Sequence, residues 1–371
     1  MGLPILSVSR RLRRTPFTDQ IVESGVKSYT VYNRMLLPTS FESVEDDYHH
    51  LKRDVQIWDV SCERQIEIIG PDAATLVQRL TPRNLATMKI GQCRYIPVVD
   101  ETGGMINDPV LLKLADDRFW ISIADSDLIF WIKGLAQGSQ YNAKIFEPDV
   151  HPLAIQGPKS DELAARIFGP EITQLGFFKF APYKWREQTL YVGRSGYSRQ
   201  GGFEIYLQGF SNGAQLFNDL MEAGADLNVR AGCPNLIERI EGGLLSYGND
   251  MTSENSPFEC GLGKFCNLDI VTNCFGFDGL REEFINGPQQ QIRSLSIDGP
   301  ALMPCTDVWS LYVRDELAGH ITSAAWSPDF DTNVALGMVH KKYWDAGTVL
   351  TAKTPDGERQ ALIMQGSFAD Q

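Results

Sequence analysis

From Val44 onward the apolar positions Val44, Tyr48, Leu51 and Val55 recur at three- and four-residue spacing, the period of one helix face. Ser43 followed three residues later by Asp46 resembles a capping box, so the helix is expected to begin there. The pattern then changes. Residues 65–69 alternate as a strand, Gly70-Pro71 turns, and Asp72 is placed to cap a helix carrying Ala73, Leu76, Val77 and Leu80. Two apolar runs, 94–99 and 105–114, flank Asp100-Glu101-Thr102-Gly103-Gly104, the composition of a hairpin loop. Residues 119–123 read as a strand, 127–135 as a helix, 153–157 as a strand, and the stretch through Leu163 and Ile167 as a helix. After Lys179 the pattern predicts a hairpin with its tip near residues 195–202, then helices around 216–221 and 236–247.

Beyond about Gly287 the period shortens: 292–297, 308–313, 318–323, 334–339 and 349–353 read as short strands at regular intervals, which suggests a separate β-barrel. Residues 282–291, with Asn286-Gly287-Pro288 and three glutamines, read as the linker. A chain of 371 residues exceeds one core, and the expected division is residues 1–285 as two interleaved subdomains and 286–371 as the barrel.

Composition narrows the function. An apolar fraction of 43% with 22% charged residues is that of an ordinary globular protein. The net charge of −13 argues against a nucleic-acid partner, which needs a basic face. The basic cluster Arg10, Arg11, Arg13 and Arg14 reads as a solvated arm packing on the body, because the apolar stretch of an export signal does not follow it. No window reaches the roughly 20 apolar residues of a membrane span, so a cytoplasmic protein without membrane contact is expected. Seven cysteines without C-x-x-C spacing and five scattered histidines disfavour a disulfide framework and give no metal site.

Two carboxylates carry candidate chemistry. Asp108 falls early in the second run of the 94–114 hairpin, and an unpaired buried charge costs on the order of several kcal/mol, so it is either capped or functional. Glu204 follows the glycine-rich tip Ser195-Gly196-Tyr197-Ser198-Arg199-Gln200-Gly201-Gly202 inside a strand. A carboxylate there suits a flat heterocycle offering adjacent N–H and amino donors, through two parallel hydrogen bonds.

Gly196-Tyr197-Ser198-Arg199-Gln200-Gly201-Gly202-Phe203-Glu204-Ile205 resembles the G-Y-T-G-E-D-G-F-E-I signature of the glycine-cleavage aminomethyltransferase (T-protein) family, whose glutamate grips the pterin of tetrahydrofolate. The resemblance continues through Gly103-Gly104-Met105-Ile106-Asn107-Asp108, Gln156-Gly157-Pro158, Arg239-Ile240-Glu241-Gly242-Gly243-Leu244, Tyr247-Gly248-Asn249-Asp250, Ser256-Pro257-Phe258-Glu259-Cys260-Gly261-Leu262-Gly263, and Gly319-His320-Ile321-Thr322-Ser323 with Ser327-Pro328. Spaced motifs in order over nearly the whole chain are specific where any one alone is not.

The resemblance implies an α+β, three-part cloverleaf of two α/β folate-binding subdomains and a C-terminal β-barrel, with folate in a central channel. Tetrahydrofolate would be the co-substrate, with no metal. Carried over residue by residue, Asp108 is the catalytic residue near the reacting folate nitrogen, Glu204 grips the pterin, Tyr95, Ser122 and Tyr206 line the folate pocket, and Arg239 meets the acidic folate tail. Departures stand beside the matches: Arg199-Gln200-Gly201 replaces Gly-Glu-Asp, Ala124 falls where the family often has asparagine, and Gly196 stands where tRNA-modification relatives carry cysteine.

Within the family, the segment from Ser9 to Thr18, Asp47-Tyr48-His49-His50-Leu51-Lys52, Val55-Gln56-Ile57-Trp58-Asp59-Val60 and Trp120-Ile121-Ser122-Ile123-Ala124-Asp125-Ser126-Asp127 are most similar to the branch that demethylates dimethylsulfoniopropionate. That implies a sulfonium zwitterion as methyl donor, recognised by aromatic faces; Tyr32, Phe178, Trp185, Tyr197 and Tyr206 are the candidates. The alternatives are a T-protein taking an aminomethyl group from a lipoylated carrier, a demethylase for another methylated compound, and a non-catalytic folate binder. Flavin-fused oxidoreductases of the family are set aside because no glycine-rich dinucleotide fingerprint opens the chain. A homodimer is left open.

Overall fold

Ser43 does begin a helix, Val44–Arg53: its side chain accepts the Asp46 backbone N–H at 2.9 Å. The helix ends before Val55, which opens the buried strand Val55–Asp59, so the fourth apolar position of the sequence pattern belongs to the next element. The computed structural model describes residues 6, 7 and 9–370, and the chain divides into two compact units. The first comprises Met1–Gln65, Asp149–Gly196 and Gln200–Pro234; the second comprises Ile66–Pro148, Tyr197–Arg199 and Asn235–Gln371.

The first unit is built on a six-stranded sheet in the order Phe180–Trp185, Gln188–Gly193, Gly202–Gln208, Val150–Gln156, Val55–Asp59, Val229–Gly232. All neighbours are antiparallel except the last pair. Helices Ser160–Phe168 and Gly213–Ala223 bring Leu163, Leu216, Phe217 and Leu220 against Ile57, Ile155 and Ile205 to form its core. The basic arm runs onto this body: the Arg13 N–H donates to the Arg34 carbonyl at 2.7 Å, the Thr15 hydroxyl to Asp59 at 2.5 Å, and Phe17 is fully buried.

The second unit holds a five-stranded sheet, Lys144–Phe146, Gln65–Ile69, Arg118–Ser122, Val110–Ala115, Cys93–Tyr95, covered by helices Ala73–Arg79 and Leu128–Gly138. Asp72 occupies the cap position of the first of these helices, but its carboxylate accepts the Asn142 N–H at 2.7 Å instead of capping. The same unit contains a closed six-stranded barrel, Gln290–Ile297, Thr332–His340, Glu316–Ser327, Trp309–Val313, Val349–Thr354 and Gly357–Ile363. Its core is aliphatic, with Leu295, Leu311, Ile321, Val339 and Ile363 packed inside. The last strand was not in the sequence pattern, because only Ala361 and Ile363 of its positions are buried. Helix Phe277–Asn286 takes up the first half of the expected linker, and helix Leu236–Glu241 stops at Gly242-Gly243, six residues earlier than the apolar spacing suggested. Among the described residues no helix is long and apolar enough to cross a membrane.

Candidate active site

The hairpin that carries Asp108 is interrupted. Tyr95 pairs with Val110 and Val98 with Asn107 in one continuous register, but the ladder breaks between them into the separate strands Cys93–Tyr95, Val98–Val99, Met105–Asn107 and Val110–Ala115. Pro97 and Pro109 lie in the gap, and neither has an N–H to continue the ladder. Asp108 therefore sits in a break rather than within a strand. The Ile96 N–H still donates to the Pro109 carbonyl at 2.9 Å, which keeps the two sides aligned.

That alignment gathers the expected residues of the second unit. Tyr95 is paired with Val110 and Val110 with Ser122, and directly paired residues share a sheet face. The Tyr95 hydroxyl donates to Asp108 Oδ2 at 2.8 Å. Asp108 Oδ1 is buried and has no hydrogen-bond partner among the described residues, although the residue as a whole keeps some exposed surface. Burial pushes the Asp108 carboxyl up to about 7; the Tyr95 hydrogen bond pulls it down and the Asp250 charge adds to the rise. The Tyr95 phenol is raised by its own burial and then by Asp108.

Supporting residues here were not legible in the sequence. Arg83 donates to the Tyr95 carbonyl and lies over the Phe265 ring at 4.5 Å, and Phe265 meets the Tyr95 ring edge-on at 5.5 Å. Asn107, fully buried, accepts the Ala124 N–H at 3.0 Å and donates to the Ala124 carbonyl at 3.0 Å and to Ser126 Oγ at 2.8 Å. The loop after strand Arg118–Ser122 is thus fastened by the residue next to Asp108.

Arg239 is held inside the same unit. It is 7% exposed, and its guanidinium donates to Asp250 at 2.8 Å, Ser323 Oγ at 2.7 Å and the Leu244 carbonyl at 3.2 Å. Asp250 also accepts the hydroxyls of Thr322 and Ser323, each at 2.6 Å, and the Ser246 N–H at 2.9 Å. This pair ties helix Leu236–Glu241 to the barrel, and it leaves the expected folate-tail cation with three of its donors committed.

In the first unit, Glu204 lies in the sheet interior with Ala154 opposite it on one neighbouring strand and Gly193 on the other. It is 8% exposed. Its Oε2 accepts the Ser195 hydroxyl in a short hydrogen bond and the Tyr206 hydroxyl at 3.2 Å, while Oε1 accepts none among the described residues. Burial raises the Glu204 carboxyl and the two hydroxyl donors lower it, with a net rise. A carboxylate offers about four lone-pair directions, so two hydroxyl donors leave about two for a ligand.

The five aromatic candidates do not behave alike. Trp185 is 5% exposed, packs in the first core and donates its indole N–H to Asp219 at 3.0 Å. Tyr206 is fully buried, and its hydroxyl donates to Glu204 Oε2 at 3.2 Å. Tyr32, Phe178 and Tyr197 are half-buried: Tyr32 ends strand Ser28–Tyr32, Phe178 stands at φ +55° beside Phe177, and the Tyr197 hydroxyl donates to the Leu244 and Leu245 carbonyls at 3.1 and 2.7 Å.

The GCVT N-terminal domain family matches residues 17–270 and the glycine cleavage T-protein C-terminal barrel domain matches residues 290–370. The chain belongs to the glycine cleavage T-protein family. Dimethylsulfoniopropionate demethylase DmdA of Ruegeria pomeroyi is 51% identical, over 96% of this chain and 98% of that protein. An aminomethyltransferase of Bacillus mycoides is 25% identical over the same shares of the two chains. The solved aminomethyltransferase T of the glycine cleavage system of Bartonella henselae superposes with a TM-score of 0.87 at 23% identity, covering 97% of this chain and 99% of its own, which establishes the common fold.

Proposed function

We propose that this member of the family is a tetrahydrofolate-dependent demethylase of dimethylsulfoniopropionate. The observation that carries the proposal is the 51% identity, end to end, with the Ruegeria pomeroyi demethylase, against 25% with an aminomethyltransferase of equal coverage. The residues present suit a folate. Among the described residues Asp108 Oδ1 has no donor and both donors to Glu204 fall on Oε2, leaving acceptors on each, and a reduced pterin is rich in ring N–H and amino donors.

In the proposed reaction the S-methyl group passes to folate N5, the carbon–sulfur bond breaks, and its electron pair stays on sulfur. The products are methylmercaptopropionate, 5-methyltetrahydrofolate and a proton. Folate supplies the nucleophilic nitrogen, and the sulfonium leaves as a neutral thioether, so no protein nucleophile is required. Glu204 holds the pterin edge. Asp108, in its ionised form, favours the positive charge that develops as the new bond forms, and Tyr95 keeps its Oδ2 in place. Tyr32, Phe178 and Tyr197 are the aromatic faces retained for the sulfonium, since Trp185 and Tyr206 have no surface to offer one. Alignment of the two reactants can supply about 7 to 11 kcal/mol of the barrier.

The test is a product assay under anaerobic conditions with tetrahydrofolate and dimethylsulfoniopropionate, read by mass spectrometry. Equal yields of 5-methyltetrahydrofolate and methylmercaptopropionate are expected. Product formation from a lipoylated aminomethyl carrier instead would make the chain an aminomethyltransferase and sink the proposal.

A further inference from the structure

Gln156 is fully buried at the end of the central strand Val150–Gln156, where the glycine-rich tip leads into the neighbouring strand. It pairs across the ladder with Gly202, and its Nε2 donates to the Ser195 carbonyl at 3.1 Å. Two glycines make room for it. A Cβ at Gly196, at φ +151°, would come within 2.0 Å of Gln156 Nε2, and a Cβ at Gly202, at φ +155°, within 2.4 Å of the same atom. The amide thus fills space that any other residue at either position would claim, and it fastens the backbone of Ser195, whose hydroxyl reaches Glu204 Oε2.

The backbone of Glu204 is fixed by ladders on both sides, so the freedom left to it is the direction of its carboxylate. We propose that Gln156 and Ser195 form a positioning relay for folate recognition, in which the Gln156 amide clamped between Gly196 and Gly202 sets Ser195 and Ser195 aims the Glu204 carboxylate. The inference rests on the reading of Glu204 as the pterin ligand. It also accounts for glycine at 196, since a side chain there would displace the clamp.

The test is the dissociation constant of tetrahydrofolate, measured by calorimetry on the full-length chain from pH 5.5 to 8.5 for wild type, Ser195→Ala, Ser195→Thr, Gln156→Met, the Gln156→Met/Ser195→Ala double variant and Glu204→Gln. A hydrogen bond to a charged group lost at Ser195→Ala should weaken binding about 10- to 100-fold, and Gln156→Met about tenfold. The double variant should be no weaker than Ser195→Ala, and Ser195→Thr, which keeps the hydroxyl, should recover most of the affinity. The Ser195 hydroxyl lowers the Glu204 carboxyl, so Ser195→Ala should move the pH at which affinity falls off to a higher value. A merely structural role would leave that midpoint in place. Ala154 and Gly193, the residues opposite Glu204, do not titrate and cannot supply the shift.

If Gln156→Met binds folate like wild type while Ser195→Ala and Glu204→Gln do not, the relay is overturned and the Glu204 reading stands. If Glu204→Gln itself binds like wild type, the relay and that reading fall together. Should Gln156→Met not fold, Ser195→Ala decides alone: an unchanged pH midpoint refutes the relay.

Discussion

Replacing Asp108 with asparagine should make the protein more stable while costing it most of its turnover, and the gain should grow with pH. The Asp108 carboxyl sits at about 7 in the folded chain against 3.8 as its ordinary value. Because the folded value is the higher one, the folded state holds a proton that the unfolded chain has released between pH 4 and 7. Stability from this group is therefore complete below pH 4 and is lost as pH rises through 7. The separation of about three units corresponds to a ceiling of about 4 kcal/mol, of which about 2 to 3 kcal/mol falls between pH 5 and 8. Asparagine removes the ionisation and keeps an acceptor for the Tyr95 hydroxyl. It leaves an N–H at the Oδ1 position where the protonated acid leaves an O–H, so the two proteins should be nearly equal at low pH. The assay is urea unfolding of wild type and Asp108→Asn at pH 5 and pH 8, followed by tryptophan fluorescence, with Trp120 at 1% exposure reporting the unit that contains Asp108. Other titrating groups cancel in the difference between the two proteins. A gap that stays flat from pH 5 to 8 would refute the claim that burial raises this carboxyl.

The same carboxyl should appear in turnover: kcat/KM of the wild type should rise with pH through about 7 as Asp108 ionises, and Asp108→Asn should lose that limb along with about 10²- to 10³-fold in kcat. Arg239→Met should destabilise the chain by about 3 to 5 kcal/mol, because it leaves Asp250 buried and uncompensated; an effect on folate affinity that scales with the number of tail glutamates, without loss of stability, would assign Arg239 to the ligand instead. Trp185→Phe should leave the KM for the methyl donor unchanged while lowering the melting temperature, since its indole N–H is spent on Asp219.

What the sequence disclosed depended on how local its cause was. The Ser43 cap and the strand at 65–69 are set by neighbours within a few residues, and both are found in the structure, although the strand is buried on both faces. Val55 continued a helical spacing but is β-branched and follows Asp54, where the helix has ended, so the sheet claimed it. The broken hairpin was legible in retrospect: Pro97 and Pro109 interrupt a run that apolar content alone makes continuous. Glu204 could be singled out because it follows a glycine-rich tip inside a strand and stands at the glutamate of the family signature. Its partner Ser195 lies nine residues away across the tip, and the contact from Gln156 to Ser195 spans 39 residues, beyond any pattern window. Resemblance alone puts Arg239 at the folate tail; its contact with Ser323 spans 84 residues, and only the folded barrel brings the two together.

The two carboxylates illustrate how a fold can hold charge for a ligand without satisfying it. Asp108 accepts a hydroxyl on Oδ2 and Glu204 accepts two on Oε2, and among the described residues no donor is recorded on the other oxygen of either. Each is raised by burial as its largest cause. A fully paired carboxylate would be more stable and would have nothing left to give, as Asp250 shows with its two oxygens occupied by Arg239, Ser246, Thr322 and Ser323. The unfilled oxygen is thus what separates a carboxylate available to a donor-rich ligand from one that holds helix Leu236–Glu241 to the barrel. On the proposed folate reading, the residues that aim the remaining oxygen, Tyr95 for Asp108 and Ser195 with Tyr206 for Glu204, matter to recognition although none of them needs to touch the ligand.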